Sequence, residues 1–161
     1  MSRVISNDLS WSVSRWQQFL FCQRAYYYNY YGSWGGWSYD APDRARQLYI
    51  LKNIKSMFMW AGSIVHELVQ ESLEEFTRSR LVPNAVDLQA KGRQKLRQGW
   101  IESVSKEWLH YPKKTNLFEL YYGNGKSLPR EQTDQVRDRV YDSLEAFANS
   151  AFVAEILQVP Y

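Results

Sequence analysis

Almost throughout this chain the apolar residues recur three and four positions apart, as in Trp16, Phe19, Leu20, Tyr27 and Tyr30, or Val136, Val140, Leu144 and Phe147. No stretch alternates apolar with polar over the several residues that a half-buried strand needs. A chain patterned this way buries one stripe of each helix against other helices. The reading is all-α: a single helical domain over residues 1–161, one lobe of five or six helices, with no sheet in the chain.

The boundaries follow from caps and breakers. A first helix starts near Ser12 or Ser14, either of which can cap it, and stops at Gly32, with a loop over 32–36. Pro42 and Asp43 open a second helical region, Asp43 capping and Tyr49, Leu51, Ile54 and Phe58 facing inward; it breaks near Gly62 and continues to about Arg80. A third helix covers 86–108, with Gly92 and Gly99 as weak points, and Pro112 ends the region. A loop-rich stretch over 111–130, centred on 121–125, precedes the last helices, 131–148 and 151–159.

Composition narrows the function classes. With 45% hydrophobic and 23% charged residues in 161, the chain can bury a core and is no disordered tail. Cys22 is the only cysteine, which excludes an internal disulfide framework and any all-cysteine metal site within the chain. His66 and His110 are the only histidines, and HExxH, CxxC, GxGxxG, P-loop and GxSxG patterns are all missing. No apolar run approaches the ~18 residues of a membrane span, and the first eight residues hold one Arg with no hydrophobic signal region behind it. The chain therefore reads as cytoplasmic, with no membrane partner.

Charge is informative by segment. The net charge is +3, from 20 Lys+Arg and 17 Asp+Glu. Residues 1–60 and 81–114 each hold seven basic and three acidic residues, while 61–80 hold two and four and 115–161 hold four and seven. Within the second basic stretch Lys91, Arg93, Lys95 and Arg97 come every second residue, which spreads them around a helix. Such a set is either a solvated surface or a phosphate-contacting one, and Lys91, Arg93 and Lys95 are its candidate contacts.

Two segments depart from ordinary helix sequence. Twelve of the 29 residues from 11 to 39 are aromatic, more than one helix can bury. Interleaved with Arg15 and Arg24, rings such as Tyr27 suit base stacking and phosphate contact on single strands; they also suit a packing helix whose hydroxyls reach water. The second segment places Gly62 one turn before His66 on the same helical face. A residue without a side chain there lets a backbone, a strand of nucleic acid or other metal ligands approach the imidazole. A hydrogen-bonded structural histidine is the alternative.

In order and spacing these segments resemble the N-terminal part of the RecB-like branch of PD-(D/E)XK nucleases, which includes nuclease domains of bacterial recombinational-repair helicases and CRISPR-associated exonucleases. The resemblance rests on Ser12-Val13-Ser14, on Cys22-Gln23-Arg24-Ala25 running into Tyr26-Tyr27-Tyr28, and on Gly62 to His66, about a third of the chain. It implies that His66 ligates the catalytic divalent metal, Mg²⁺ or Mn²⁺ in the complete enzyme, with Gly62 as the close-approach glycine. It also implies that Cys22 corresponds to a [4Fe–4S] ligand, although the three further cysteines such a cluster needs are missing and no cluster is expected here.

Other departures weigh as much. The family's remaining ligands, an Asp and then a Glu or Asp two residues before a Lys, stand on a small mixed sheet. None of the 17 acidic residues here has Lys two positions later; Asp138-Arg139-Val140 is the nearest imitation. Pro42-Asp43 spells the right letters at a helix start, where it reads as a cap. The chain stops about where a family member begins that sheet.

The resemblance implies the N-terminal helical part of a metal-dependent DNA (exo)nuclease, inactive on its own, with single-stranded DNA or DNA ends as partner. A helicase or the missing catalytic part would be its protein partner. The alternative is a non-catalytic helical module that binds single-stranded nucleic acid or a protein through its aromatic face, and a plain helical scaffold is the third reading. From the cysteine count, the purified protein should be colourless and titrate one free thiol per chain. A brown preparation absorbing as an iron–sulfur protein would show that several chains share a cluster at Cys22.

Overall fold

The computed structural model describes residues 7–123 and 128–158. Residues 1–6, the predicted turn at Asn124 and Gly125, and the expected helix end at Val159 lie outside the described residues. The fold is all-α: among the described residues there is no strand, only an isolated parallel bridge between Lys55 and Leu117. Helices of eight residues or more are α1 (Val13–Phe21), α3 (Asp43–Lys52), α4 (Met57–Ser79), α5 (Ala85–Val104), α7 (Arg130–Ala148) and α8 (Ala151–Gln158). Two five-residue helices, α2 (Gln23–Tyr27) and α6 (Phe118–Tyr122), complete the set. The chain divides into two compact units, residues 1–54 with 107–114, and 55–106 with 115–161.

In the first unit, Ser12 caps α1 by accepting from the Arg15 N–H at 3.2 Å, as its sequence position suggests. The first helix does not run unbroken to Gly32. Cys22 is extended at φ −162°, ψ 107°, and its Sγ accepts the Ala25 N–H at 3.4 Å, so the cysteine ends α1 and caps α2. Residues Tyr28–Gly32 then form a π-helical turn closed by the Ser33 N–H on the Tyr28 carbonyl. Asp43 proves to be the first residue inside α3, with Pro42 in the cap position, so its carboxylate acts on the helix dipole. Ile50 is the buried residue of α3; Leu51, expected inside, is exposed because the inward face lies one residue earlier.

The second unit is built on α4, α5 and α7, which pack on one another. Helix α4 runs through Gly62, where a break was expected, and the interruption falls at Asn53–Ser56 instead. One glycine costs a helix only about 1 kcal/mol, less than the gain from the buried face Trp60, Ala61, Ile64 and Leu68. Phe58, on the flank of that face, is exposed and not inward. The α4 N-terminus is doubly held: Ser56 accepts the Met59 N–H, and both Glu119 oxygens accept the Met57 N–H at 3.1 Å. The same segment is fastened to the end of α5 close by: Leu117 bridges Lys55 just before α4, while Glu102 accepts the Thr115 N–H and Ser103 accepts the Leu117 N–H, each at 3.0 Å.

Helix α5 ends at Val104, short of the expected 108, and Glu107–Leu109 is a separate 3₁₀ turn. Its glycines are contact points and not weak points. A methyl group at Gly99 would meet the Trp60 ring at 2.6 Å, and one at Gly92 would meet Leu144 at 3.0 Å. Nothing lies within 4 Å of a methyl group built at Gly62. Opposite outcomes follow from the same substitution. Gly99→Ala should destabilise the protein by about 1–3 kcal/mol in denaturant unfolding. Gly62→Ala should stabilise it by about 0.5–1 kcal/mol through helix propensity.

Candidate functional site

A groove of about 850 Å³ runs between α4 and α7 in the second unit. Its floor comes from α4, where Ala61, Val65, Val69 and Leu73 follow one another at helical spacing. The rim carries Gly62 and His66 from α4 and Arg139 and Ser143 from α7. Arg139 lies over the Phe58 ring at 5.4 Å, which anchors one end with a cation–π contact.

His66 is exposed and makes no hydrogen bond among the described residues, with open space over Gly62 one turn before it. Glu74, two turns along the groove, accepts from Gln70 at 2.9 Å and pairs with Arg78 at 3.2 Å, so its carboxylate is committed locally. Among the described residues no group of three His, Cys, Asp or Glu is gathered where a metal could bind. The described side chains by themselves therefore do not fit a catalytic divalent metal, and among them His66 stands as one donor without companions.

The basic residues singled out from sequence separate in space. Lys91 pairs with Glu75 at 3.5 Å, and Lys95 reaches Glu67 at 2.9 Å and Glu71 at 3.1 Å, all across the α4–α5 seam. Arg93 points away from that seam and lines a second groove, between α5 and α7, together with Arg97 and Trp100. Sequence reasoning had not joined Arg93 to Arg97 and Trp100, although their offsets of four and seven residues already mark one helical face.

In the first unit, Arg15 lies over the Tyr30 ring at 4.3 Å and donates to the Ser10 carbonyl, while Lys52 donates to the Asn29 carbonyl at 2.8 Å. Burial, helped by the Arg15 charge, holds the Lys52 pKa below its ordinary value. The Arg24 and Arg44 guanidiniums beside Tyr28 hold its hydroxyl pKa below the ordinary value, Arg44 donating to it at 3.4 Å. Tyr27 is exposed and stacks along Tyr31, with ring centroids 6.4 Å apart. The aromatic excess is partly absorbed by a chain of ring contacts through Trp16, Phe19, Tyr26 and Tyr30; Trp11, Phe21 and Tyr39 remain outside it, largely exposed. Among the described residues no helix is long and apolar enough to cross a membrane.

No protein-family model, curated protein or solved structure matches this chain.

The Lys95 pairs are testable. Burial pulls its pKa down, but hydrogen bonds to Glu67 and Glu71 outweigh burial and raise it above 10.5. A raised folded-state pKa makes the contribution complete below pH 10.5 and lost as pH climbs through the folded value. Because the two carboxylates are half exposed, Lys95→Met should cost only about 0.5–1 kcal/mol in thermal unfolding at neutral pH. The loss should shrink at high salt and vanish in strong alkali.

Proposed function

We propose that this chain is the helical part of a metal-dependent, RecB-like DNA nuclease whose catalytic sheet docks on the α4–α7 groove. The observation that carries this reading is an exposed His66 without hydrogen bonds, set one helical turn from open space above Gly62. An imidazole held for structure would have its nitrogens bonded, since an unsatisfied buried polar group costs about 1–3 kcal/mol. Here the ring faces an apolar trough broad enough to seat another element, and Gly62 leaves the approach open. The chain's own part is to offer that trough and one neutral nitrogen donor at its rim. The carboxylates and lysine that would complete a site come from elsewhere, so the chain by itself does not cut DNA.

A second reading is favoured by a different observation. Trp11, Phe21 and Tyr39 are 74%, 88% and 97% exposed, which suits a non-catalytic module binding single-stranded nucleic acid or a protein through the aromatic surface of the first unit.

One experiment separates the two. The chain is expressed with whatever coding sequence adjoins it and assayed on linear and single-stranded DNA in Mn²⁺. The nuclease reading expects metal-dependent cleavage that His66→Ala reduces by on the order of 100-fold without changing the melting temperature, while His110→Ala leaves it intact. Cleavage indifferent to His66, or no cleavage at all, would overturn that reading and leave the binding module.

A further inference from the structure

The groove between α5 and α7, about 700 Å³, differs in chemistry from the one beside His66. Helix α5 contributes Arg93, Leu96, Arg97 and Trp100 at offsets of three, four and seven residues. Helix α7 faces them with Thr133, Val136, Arg137 and Tyr141 at nearly the same offsets. Trp100 and Tyr141 are half-buried: each packs against the core and also lines the groove. The lining holds three arginines and no carboxylate.

The arginines differ in their commitments. Arg137 is taken up by Asp134 and Asp138, both at 2.7 Å. Arg93 and Arg97 make no ion pair or hydrogen bond among the described residues, although they stand one turn apart on one face, where like charges repel. Helix α5 thus sorts its cations. Lys91 and Lys95, turned toward α4, are neutralised by Glu75, Glu67 and Glu71. The pair turned toward the groove is left for an anion from outside.

An occupant must bring flat rings for Trp100 and Tyr141 and negative charge at intervals of about one helical turn, ~5.4 Å, for the arginines. An acidic peptide supplies rings only where aromatic side chains happen to fall at the right spacing, whereas a single strand carries one base and one phosphate in every repeat. A duplex supplies the charge but hides the faces of its bases. We infer that the α5–α7 groove is a binding site for single-stranded nucleic acid, with bases stacked on Trp100 and Tyr141 and successive phosphates met by Arg93 and Arg97. The site is apart from His66 and owes nothing to the nuclease reading.

The test is therefore run in EDTA, where no metal-dependent cleavage contributes. A fluorescein-labelled oligodeoxythymidine about twelve nucleotides long is titrated by anisotropy at about 50 mM and about 200 mM salt. Binding should weaken with salt. Arg93→Gln and Arg97→Gln should each weaken it several-fold and lower the salt slope by about one contact. Trp100→Leu should weaken it by about fivefold or more with the slope unchanged, and Trp100→Phe should restore it. The arginines are exposed, so their variants keep the fold and carry the test should Trp100→Leu unfold. No binding at the lower salt, an Arg93→Gln/Arg97→Gln double variant that binds like the parent, equal affinity for a blunt duplex, or equal displacement by polyglutamate would each overturn the inference. Loss of cleavage on His66→Ala reads the other groove, so the two proposals fail separately.

Discussion

The close approach of α5 to its neighbours in the second unit depends on the missing side chains of Gly92 and Gly99. A methyl group at Gly99 would strike the Trp60 indole, and one at Gly92 would crowd Leu144 and Val140. With both absent, the helices settle until Leu68, Val140 and Leu144 are wholly buried. Dispersion and water exclusion both depend on that fit, since small gaps in a close-packed interior forfeit contacts outright. Helix α7 then becomes a wall shared by two grooves, one bounded by α4 and one by α5.

The same packing distributes charge. Bringing α4 beside α5 sets the acids of one helix against the lysines of the other, and the seam consumes charge that looked available when the basic stretch was read as a string. Residues two positions further along the string lie on another face of the helix and escape the seam. Alternation by two residues is therefore a poor guide to a binding surface on a helix, because successive members point to different neighbours. The cations that the alternation already spread around the helix divide into a zipper of ion pairs and a separate pair of arginines.

In the first unit the aromatic excess is handled by edge and stacked ring contacts, with cations laid over Tyr30 from Arg15 and Lys52. Cys22 has a local duty at the same place. Its sulfur takes over an orphan N–H at the start of α2, so the residue that marks the family resemblance also shapes the turn between two short helices. A thiol that caps a helix has a structural reason to stand there without any cluster.

The sequence by itself determined the helical class, a cap at Ser12 or Ser14, of which Ser12 is the one used, and the buried ladder Val136, Val140 and Leu144, because each depends on spacing and local hydrogen bonding within a few residues. It also put Gly62 and His66 on one face, which holds on any helix. It misjudged the break in α4, the inward face at Leu51 and Phe58, and the part played by Gly92 and Gly99. For the glycines the deciding contact came from residues far along the chain, Trp60 and Leu144 filling the space they leave; at Leu51 the inward face lies one residue earlier, and α4 runs on because its buried face outweighs one glycine. Tertiary structure alone decided that Lys91 and Lys95 are spent on α4, that Arg93 and Arg97 face an aromatic groove, and that His66 opens to solvent. Those outcomes depend on which helix stands beside which, and local periodicity carries no information about a neighbour forty residues away.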